Sequence, residues 1–339
     1  MPGNSIMKAF ILFLPLFWLA SVGMRAQNGS IMTVKGPIPT SEMGLSLIHE
    51  HVLVDFIGAD KTGKHRWDED EVVPVVQPFL NDIKKLGATT LVECTPAYIG
   101  RDPLLLKKLS ESSGVQIITN TGYYGASDNK YIPEHAYVES ADQLAERWIK
   151  EAEEGIDGTG IRPGFIKTGV NGGSLSELHA KLITAAAKTH LETGLVIASH
   201  TGPAVPAFEQ MAILEKEGVH ASAFIWVHAQ GESDLEMHVK AARKGAWVSL
   251  DGLDDSNVEH YAQMLENLRD HGFLHQTLLS HDAGWYSPGE ENGGEFRPYT
   301  TLFKKLIPLL IQQGWIEQEI EQLLVINPRN AFEISIRRK

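Results

Sequence analysis

From residue 45 onward the chain alternates short apolar runs with longer amphipathic stretches. Runs rich in Val, Ile, Leu and Thr fall at 45–55, 89–95, 115–121, 162–168, 195–200, 224–228, 246–251 and 277–282. Their length and their Gly or Pro boundaries suit buried parallel strands. In the stretch 175–193 the apolar Leu178, Leu182, Ile183, Ala186 and Ala187 fall on one stripe of a helix. Ser174, with Glu177 three residues later, has the form of a capping box for that helix. Stretches 141–154, 235–244, 257–271 and 301–313 read as further helices, and Asn327-Pro328 starts a last short one. Eight strand–helix units without a linker or composition break predict a single closed (β/α)8 TIM barrel, an α/β fold, over residues 27–339. The alternative, an open doubly wound sheet, normally carries a glycine-rich phosphate loop. Gly172-Gly173 is too little for one.

The first 26 residues do not belong to this pattern. Lys8 precedes an uncharged apolar run, 9–24, that is interrupted by Pro15 and ends in small residues. The run is shorter than the ~20 residues that span a bilayer. Charged start, apolar middle and small end predict a secretory signal peptide, cut after Gly23 or Ala26. The alternative is an uncleaved anchor. Cleavage implies an exported protein, periplasmic or secreted, with no stable membrane insertion. No cysteine follows the run to carry a lipid.

Composition narrows the class. The chain has 339 residues, 43% hydrophobic and 22% charged, with one cysteine. These values exclude a disordered chain and a disulfide scaffold. Thirty basic against 43 acidic residues leave a formal charge of −13. That balance gives no electrostatic footprint for nucleic acid. Fourteen histidines make the placement of imidazoles the informative question.

In a barrel of this kind catalytic groups gather where the strands end. The first strand ends Leu47-Ile48-His49-Glu50-His51-Val52, so alternation points His49 and His51 to one face and Glu50 to the other. Two imidazoles about 7 Å apart along a strand can hold one metal ion. The fourth strand ends at Lys167, the fifth at His200, the sixth at His228 and the eighth at His281-Asp282. Each alone has an ordinary explanation: a hydrogen-bonded rim histidine, a Lys167–Asp282 ion pair, or Asp282 capping a turn. Five strands delivering such groups at one end point instead to divalent, zinc-like ions. Two close cations need an anion between them. An amine in a dry site beside cations loses its proton readily and can take up carbon dioxide, forming an anionic two-oxygen carbamate. Water shared by two cations is then a hydroxide near neutral pH. His281 faces the helix layer by the same alternation and reads as structural.

These residues resemble the phosphotriesterase family of the amidohydrolase superfamily. The likeness runs from Thr33-Val34-Lys35-Gly36-Pro37-Ile38 to Asn327-Pro328, through His49-Glu50-His51, Gly100-Arg101-Asp102, Thr121-Gly122, Gly164-Phe165-Ile166-Lys167, Ser199-His200-Thr201, His228 and Asp282. The resemblance implies an amidohydrolase-type barrel and a metal-dependent hydrolase of a small-molecule ester, a lactonase or a phosphotriesterase. His49, His51 and Asp282 would hold one zinc ion, His200 and His228 the other, with carboxylated Lys167 bridging both. Asp282 and Lys167 would be the catalytic pair, Asp282 orienting the hydroxide and taking its proton. Relatives are often dimers, so a homodimer is expected.

The substrate shell departs from the family's best-known branches. Phosphotriesterases proper carry an aspartate after the sixth strand and a histidine after the seventh. Gly231 and Gly252 stand at those places, although Asp251 is kept. The arginine that lactonases often place at the position of Gly252 is also missing. Tyr123-Tyr124 supplies the tyrosine that they favour after the third strand. Tyr98, Tyr124, Trp285 and Arg297 are the expected substrate contacts. The long loop 283–299 supplies the last two. Arg297 would meet a carboxylate or phosphate, or pair with Glu290, Glu291 or Glu295. A lactone or other carboxylic ester is favoured over a phosphotriester because the relay looks absent.

Overall fold

The computed structural model describes residues 29–339; the expected signal peptide lies outside them. Eight parallel strands form its centre: β1 (Ser46–Leu53), β2 (Thr90–Glu93), β3 (Gln116–Ile118, continued by Asn120–Thr121), β4 (Phe165–Gly169), β5 (Ile197–His200), β6 (Phe224–Val227), β7 (Trp247–Leu250) and β8 (Thr277–Leu279). Each pairs in parallel with the next. After β8 the chain returns to β1, where Asp282 N donates to His49 O and His51 N to Ala283 O, both at 2.9 Å. Gly284–Tyr286 then continues alongside β1 in parallel. These bonds join the last strand to the first, as the (β/α)8 expectation requires.

The core has the two layers such a barrel needs. Inward residues from around the ring, including Ile48, Val92, Ile118, Phe165, Val196, Ile225, Trp247 and Leu278, pack into one buried cluster. The interior is therefore filled rather than hollow. An antiparallel hairpin, Ser30–Thr33 with Gly36–Pro39, adds Ile31 to that cluster. The other faces of the strands pack on helices. These are Glu69–Lys85, Pro103–Ser113, Ala141–Glu154, Glu177–Thr193, Ala204–Lys216, Leu235–Arg243 and Val258–Asp270, with 302–312 following β8. No helix of the described residues is long and apolar enough to cross a membrane.

Local chemistry departs from the sequence expectations in two places, and one further helix runs through two prolines. The helix expected to be capped by Ser174 is capped by Ser176, whose hydroxyl accepts from His179 N at 3.2 Å. Leu175 N is instead taken by Glu209, which keeps the preceding residues out of the helix. Glu69–Lys85 is helical despite Pro74 and Pro78, because Val72, Val76, Leu80 and Ile83 bury one stripe of it. The segment 301–313 is not a regular α-helix at its start. Leu302–Leu306 winds with wider turns just before Pro308, which has no N–H for the regular ladder.

Candidate metal centre

Six side chains from five strands meet at the C-terminal mouth of the barrel. His49, His51, Lys167, His200, His228 and Asp282 line one small cavity of about 100 Å³, together with Val54, Phe56, Cys94, Pro96, Ile99, Tyr124 and Trp285. Lys167 and His200 arrive by plain alternation, since Phe165, Val196 and Ala198 point inward on the same strands. On β1 the pairing with β2 shifts register between Leu47 and Glu50, so Ile48 and the histidines beside it all serve the interior. His228 follows inward-facing Val227, and alternation alone would turn it out. A left-handed backbone (φ 61°) brings it back to the mouth. Asp282 is also left-handed, at φ 54°.

Hydrogen bonds behind the cavity decide what each imidazole presents to it. Asp251, fully buried just beyond β7, accepts from His49 Nδ1 at 3.0 Å and His228 Nδ1 at 2.8 Å. It also accepts from His228 N at 2.9 Å and Ser249 Oγ at 2.6 Å, which pins the left-handed turn. Behind His51, Thr95 Oγ1 gives its one hydrogen to Glu93 at 2.5 Å and therefore accepts from His51 Nδ1 at 2.8 Å. Each ring thus turns its Nδ1 to an acceptor behind the cavity and leaves Nε2, the atom a metal ligand would use, facing inward. His51 Nε2 lies 2.9 Å and His49 Nε2 3.7 Å from Asp282 Oδ1. The rings of His200 and His228 are 4.4 Å apart.

Burial favours the neutral form of His49 and His200, while His228 is shifted the other way. Burial, then the Lys167 charge, pushes His49 down to about 4. Burial, then His228, holds His200 well below its usual value. For His228 burial acts downward, but the Asp251 charge and hydrogen bond outweigh it and raise the value. Burial would raise both carboxyl groups, yet the histidines outweigh it and keep Asp251 and Asp282 ionised. Lys167 is 2% exposed and forms no ion pair with any described residue; its neighbour is His49 Nε2 at 3.3 Å. The expected alternative, a Lys167–Asp282 ion pair, is not formed. A buried amine without a carboxylate partner, inside converging nitrogen lone pairs, fits a centre that supplies the missing anion on the lysine itself.

A sequence model of the phosphotriesterase family matches residues 29–332. The chain belongs to that family. It is similar to the phosphotriesterase homology protein of Escherichia coli (strain K12), 31% identical over 86% of this chain and 98% of that protein. It is also similar to an aryldialkylphosphatase of Saccharolobus solfataricus (28% identical, covering 88% and 98%). A phospho-furanose lactonase of Mycoplasmopsis synoviae is 25% identical, covering 92% and 94%. Phosphotriesterase-family enzymes are binuclear metal-dependent hydrolases, and the His49–His51–Asp282 grouping here has the donors to hold an ion.

The other expected site residues divide. Tyr124 and Trp285 line the metal cavity. Tyr98 does not. It is left-handed (φ 67°), and it faces a separate cavity of about 420 Å³ with Trp67 and Tyr123. The loop after β2 divides the two spaces, Pro96 and Ile99 facing the metal side and Ala97 and Tyr98 the other. Arg297 stands outside the lining, stacked on Trp285 with its guanidinium carbon 4.2 Å from the ring centre. It pairs with none of Glu290, Glu291 and Glu295. At the family's relay position, a side chain at Gly252 would meet Gln230 Nε2 at 2.6 Å and Tyr261 OH at 3.1 Å. Those two groups fill the relay space, holding Asp251 N and Gly252 N respectively. His281 gives Nδ1–H to Glu50 at 2.7 Å and accepts from Leu302 N, a tie between β1 and the helical segment 302–312. Sequence patterns missed Asp251 as an anchor and missed Thr95 and Gln230 altogether. The signal for Asp251 was an acid ending a buried strand.

Proposed function

We propose that the protein is an exported hydrolase that binds two zinc ions and cleaves a lactone or other carboxylic ester. His49, His51 and Asp282 would hold one ion, His200 and His228 the other, and a carbamate on Lys167 would join them. When bound, the two ions supply a hydroxide near neutral pH and a positive field for the carbonyl oxygen. Asp282 would orient that nucleophile toward the carbonyl carbon and carry its proton to the oxygen that departs when the ester C–O bond breaks. Burial keeps the Tyr124 hydroxyl protonated far above neutral pH, so it enters the site as a donor.

The cavity carries the choice of substrate. The cavity is only about 100 Å³, and two ions would take part of it, leaving room for little more than a flat carbonyl group. A phosphotriester needs room for three arms around a tetrahedral centre. Gln230 and Tyr261 also occupy the relay position that phosphotriesterases proper use. Because a relative is named an aryldialkylphosphatase, the test is a panel of lactones, esters, amides and triesters with zinc-loaded protein. Lactone or ester turnover supports the proposal. Triester turnover with lactones untouched overturns the substrate. Two bound ions with no turnover across the panel would mark a non-catalytic metal-binding barrel.

A further inference from the structure

Glu50 stands between His49 and His51 but does not line the metal cavity. Its carboxylate is wholly buried and reaches the chain that follows β8. Oε1 accepts from Ser280 Oγ at 2.7 Å, from His281 Nδ1 at 2.7 Å and from His281 N at 3.1 Å. Oε2 accepts from Ala283 N at 2.9 Å. The Glu50 carbonyl is turned to the other neighbour, β2, where it accepts from Cys94 N at 2.8 Å. The reach toward residues 281 and 283 is therefore made by the side chain.

These donors bracket Asp282. The N–H of Asp282 itself goes to His49 O, so three successive backbone N–H groups, 281 to 283, are all tied to β1. His281 and Ala283 are buried, and without the carboxylate their N–H groups would have to find other acceptors. Asp282 has a left-handed backbone (φ 54°), uncommon for a residue with a side chain. Its carboxylate lies between the two imidazole groups, Oδ1 2.9 Å from His51 Nε2 and Oδ2 3.9 Å from His228 Nε2. A displacement of about 1 Å would spoil such a placement.

We infer that Glu50 is a positioning residue: it aims Asp282 by holding the backbone N–H groups on either side of it. The ion expected at His49, His51 and Asp282 then depends on Glu50, while the ion expected at His200 and His228 does so far less. This rests on the two-ion proposal and adds to it a residue outside the cavity. A carboxylate that merely closed the barrel would weaken both ions alike, or neither.

The test is Glu50→Gln, which keeps the side chain's shape and one acceptor oxygen but turns an NH2 toward one of the two backbone donors. The expected result is a folded variant in which the affinity for one zinc ion falls about 10–100-fold and that for the other is unchanged. The visible spectrum of the cobalt-loaded variant should change as one ion loses its aspartate, and kcat should fall with KM little altered. A folded variant that holds both ions as tightly as wild type would overturn the inference. So would equal weakening of the two. Should Glu50→Gln not fold, Glu50→Asp is measured in the same way, since a side chain one carbon shorter cannot hold both N–H groups. Amide hydrogen exchange, read residue by residue in the wild type, needs neither a metal nor a variant. His281 and Ala283 should exchange as slowly as Leu278 and Leu279 of β8, and exchange as fast as at the exposed Glu291 would overturn the clamp. If the wild type takes up no metal, the two-ion proposal fails, while the exchange rates still decide whether Glu50 holds the chain around Asp282.

Discussion

His49 Nδ1 lies 3.0 Å from Asp251 Oδ2, a contact between residues 202 positions apart in the chain. The other oxygen of the same carboxylate holds His228 Nδ1 at 2.8 Å. One buried acid therefore sets the tautomer of imidazoles from β1 and β6, each expected to serve a different metal ion. An asparagine could accept from one ring but would turn its NH2 toward the other. We expect Asp251→Asn to lower zinc affinity by about 10–100-fold, measured by competition with a chromogenic chelator. Asp251→Ala should in addition destabilise the fold by about 3 kcal/mol, because it leaves a set of buried donors unpaired. Zinc affinity equal to wild type in the asparagine variant would remove Asp251 from the centre.

Gly284 is the point where the chain closes back on β1. Its φ is +95°, and a Cβ there would lie 1.9 Å from His51 O and 2.5 Å from Tyr299 OH. Tyr299 OH itself donates to His51 O at 2.6 Å. Gly284→Ala should therefore lower stability by at least about 2 kcal/mol. Gly218→Ala, also at positive φ but with open space around it, should cost less. Equal melting temperatures for the two variants would contradict this closure.

Acid should loosen the C-terminal tail through His190. Burial holds this histidine below its usual value near 6.5, despite its bond to Leu195 O. Its Nε2 accepts from Arg337 N at 2.9 Å, which requires the neutral ring. At high pH the ring is neutral in both folded and unfolded chains. Below about pH 6.5 the unfolded chain takes up the proton and the folded one resists, so stability falls with pH until the folded value is passed. The slope is at most about 1.4 kcal/mol per pH unit for one group. His179 and His238, lowered mainly by burial, add the same sign. Urea denaturation at stepped pH from 8 to 5 reads the slope. His190→Gln should flatten part of it, and an unchanged slope would assign the effect elsewhere.

The barrel was legible because buried parallel strands leave nearly continuous apolar runs, and each strand's polar terminus marked the mouth. Lys167 and His200 could be aimed by alternation alone, whereas on β1 a register shift lets Ile48 and the neighbouring His49 both face inward. His228 could not. Its orientation depends on a left-handed turn held by Asp251, and a pattern of residue types carries no φ angle. Tyr98 was misplaced for the same reason, since its own left-handed backbone turns it into the neighbouring cavity. Arg297 was expected to have acidic partners because three glutamates lie close in sequence, but the loop folds them away. Ser174 and Ser176 offer the same hydroxyl to a helix start, and only the distant Glu209 decides between them.

The most direct test of the two-cation centre is the zinc content of purified protein, with and without Lys167. Wild-type protein reconstituted in bicarbonate buffer should retain two zinc ions per chain after gel filtration. Lys167→Met should retain at most one and lose hydrolysis, and a small carboxylate such as acetate should partly restore both. Wild-type protein that retains no zinc, or a Lys167→Met variant that keeps two ions and full turnover, would contradict the central claim.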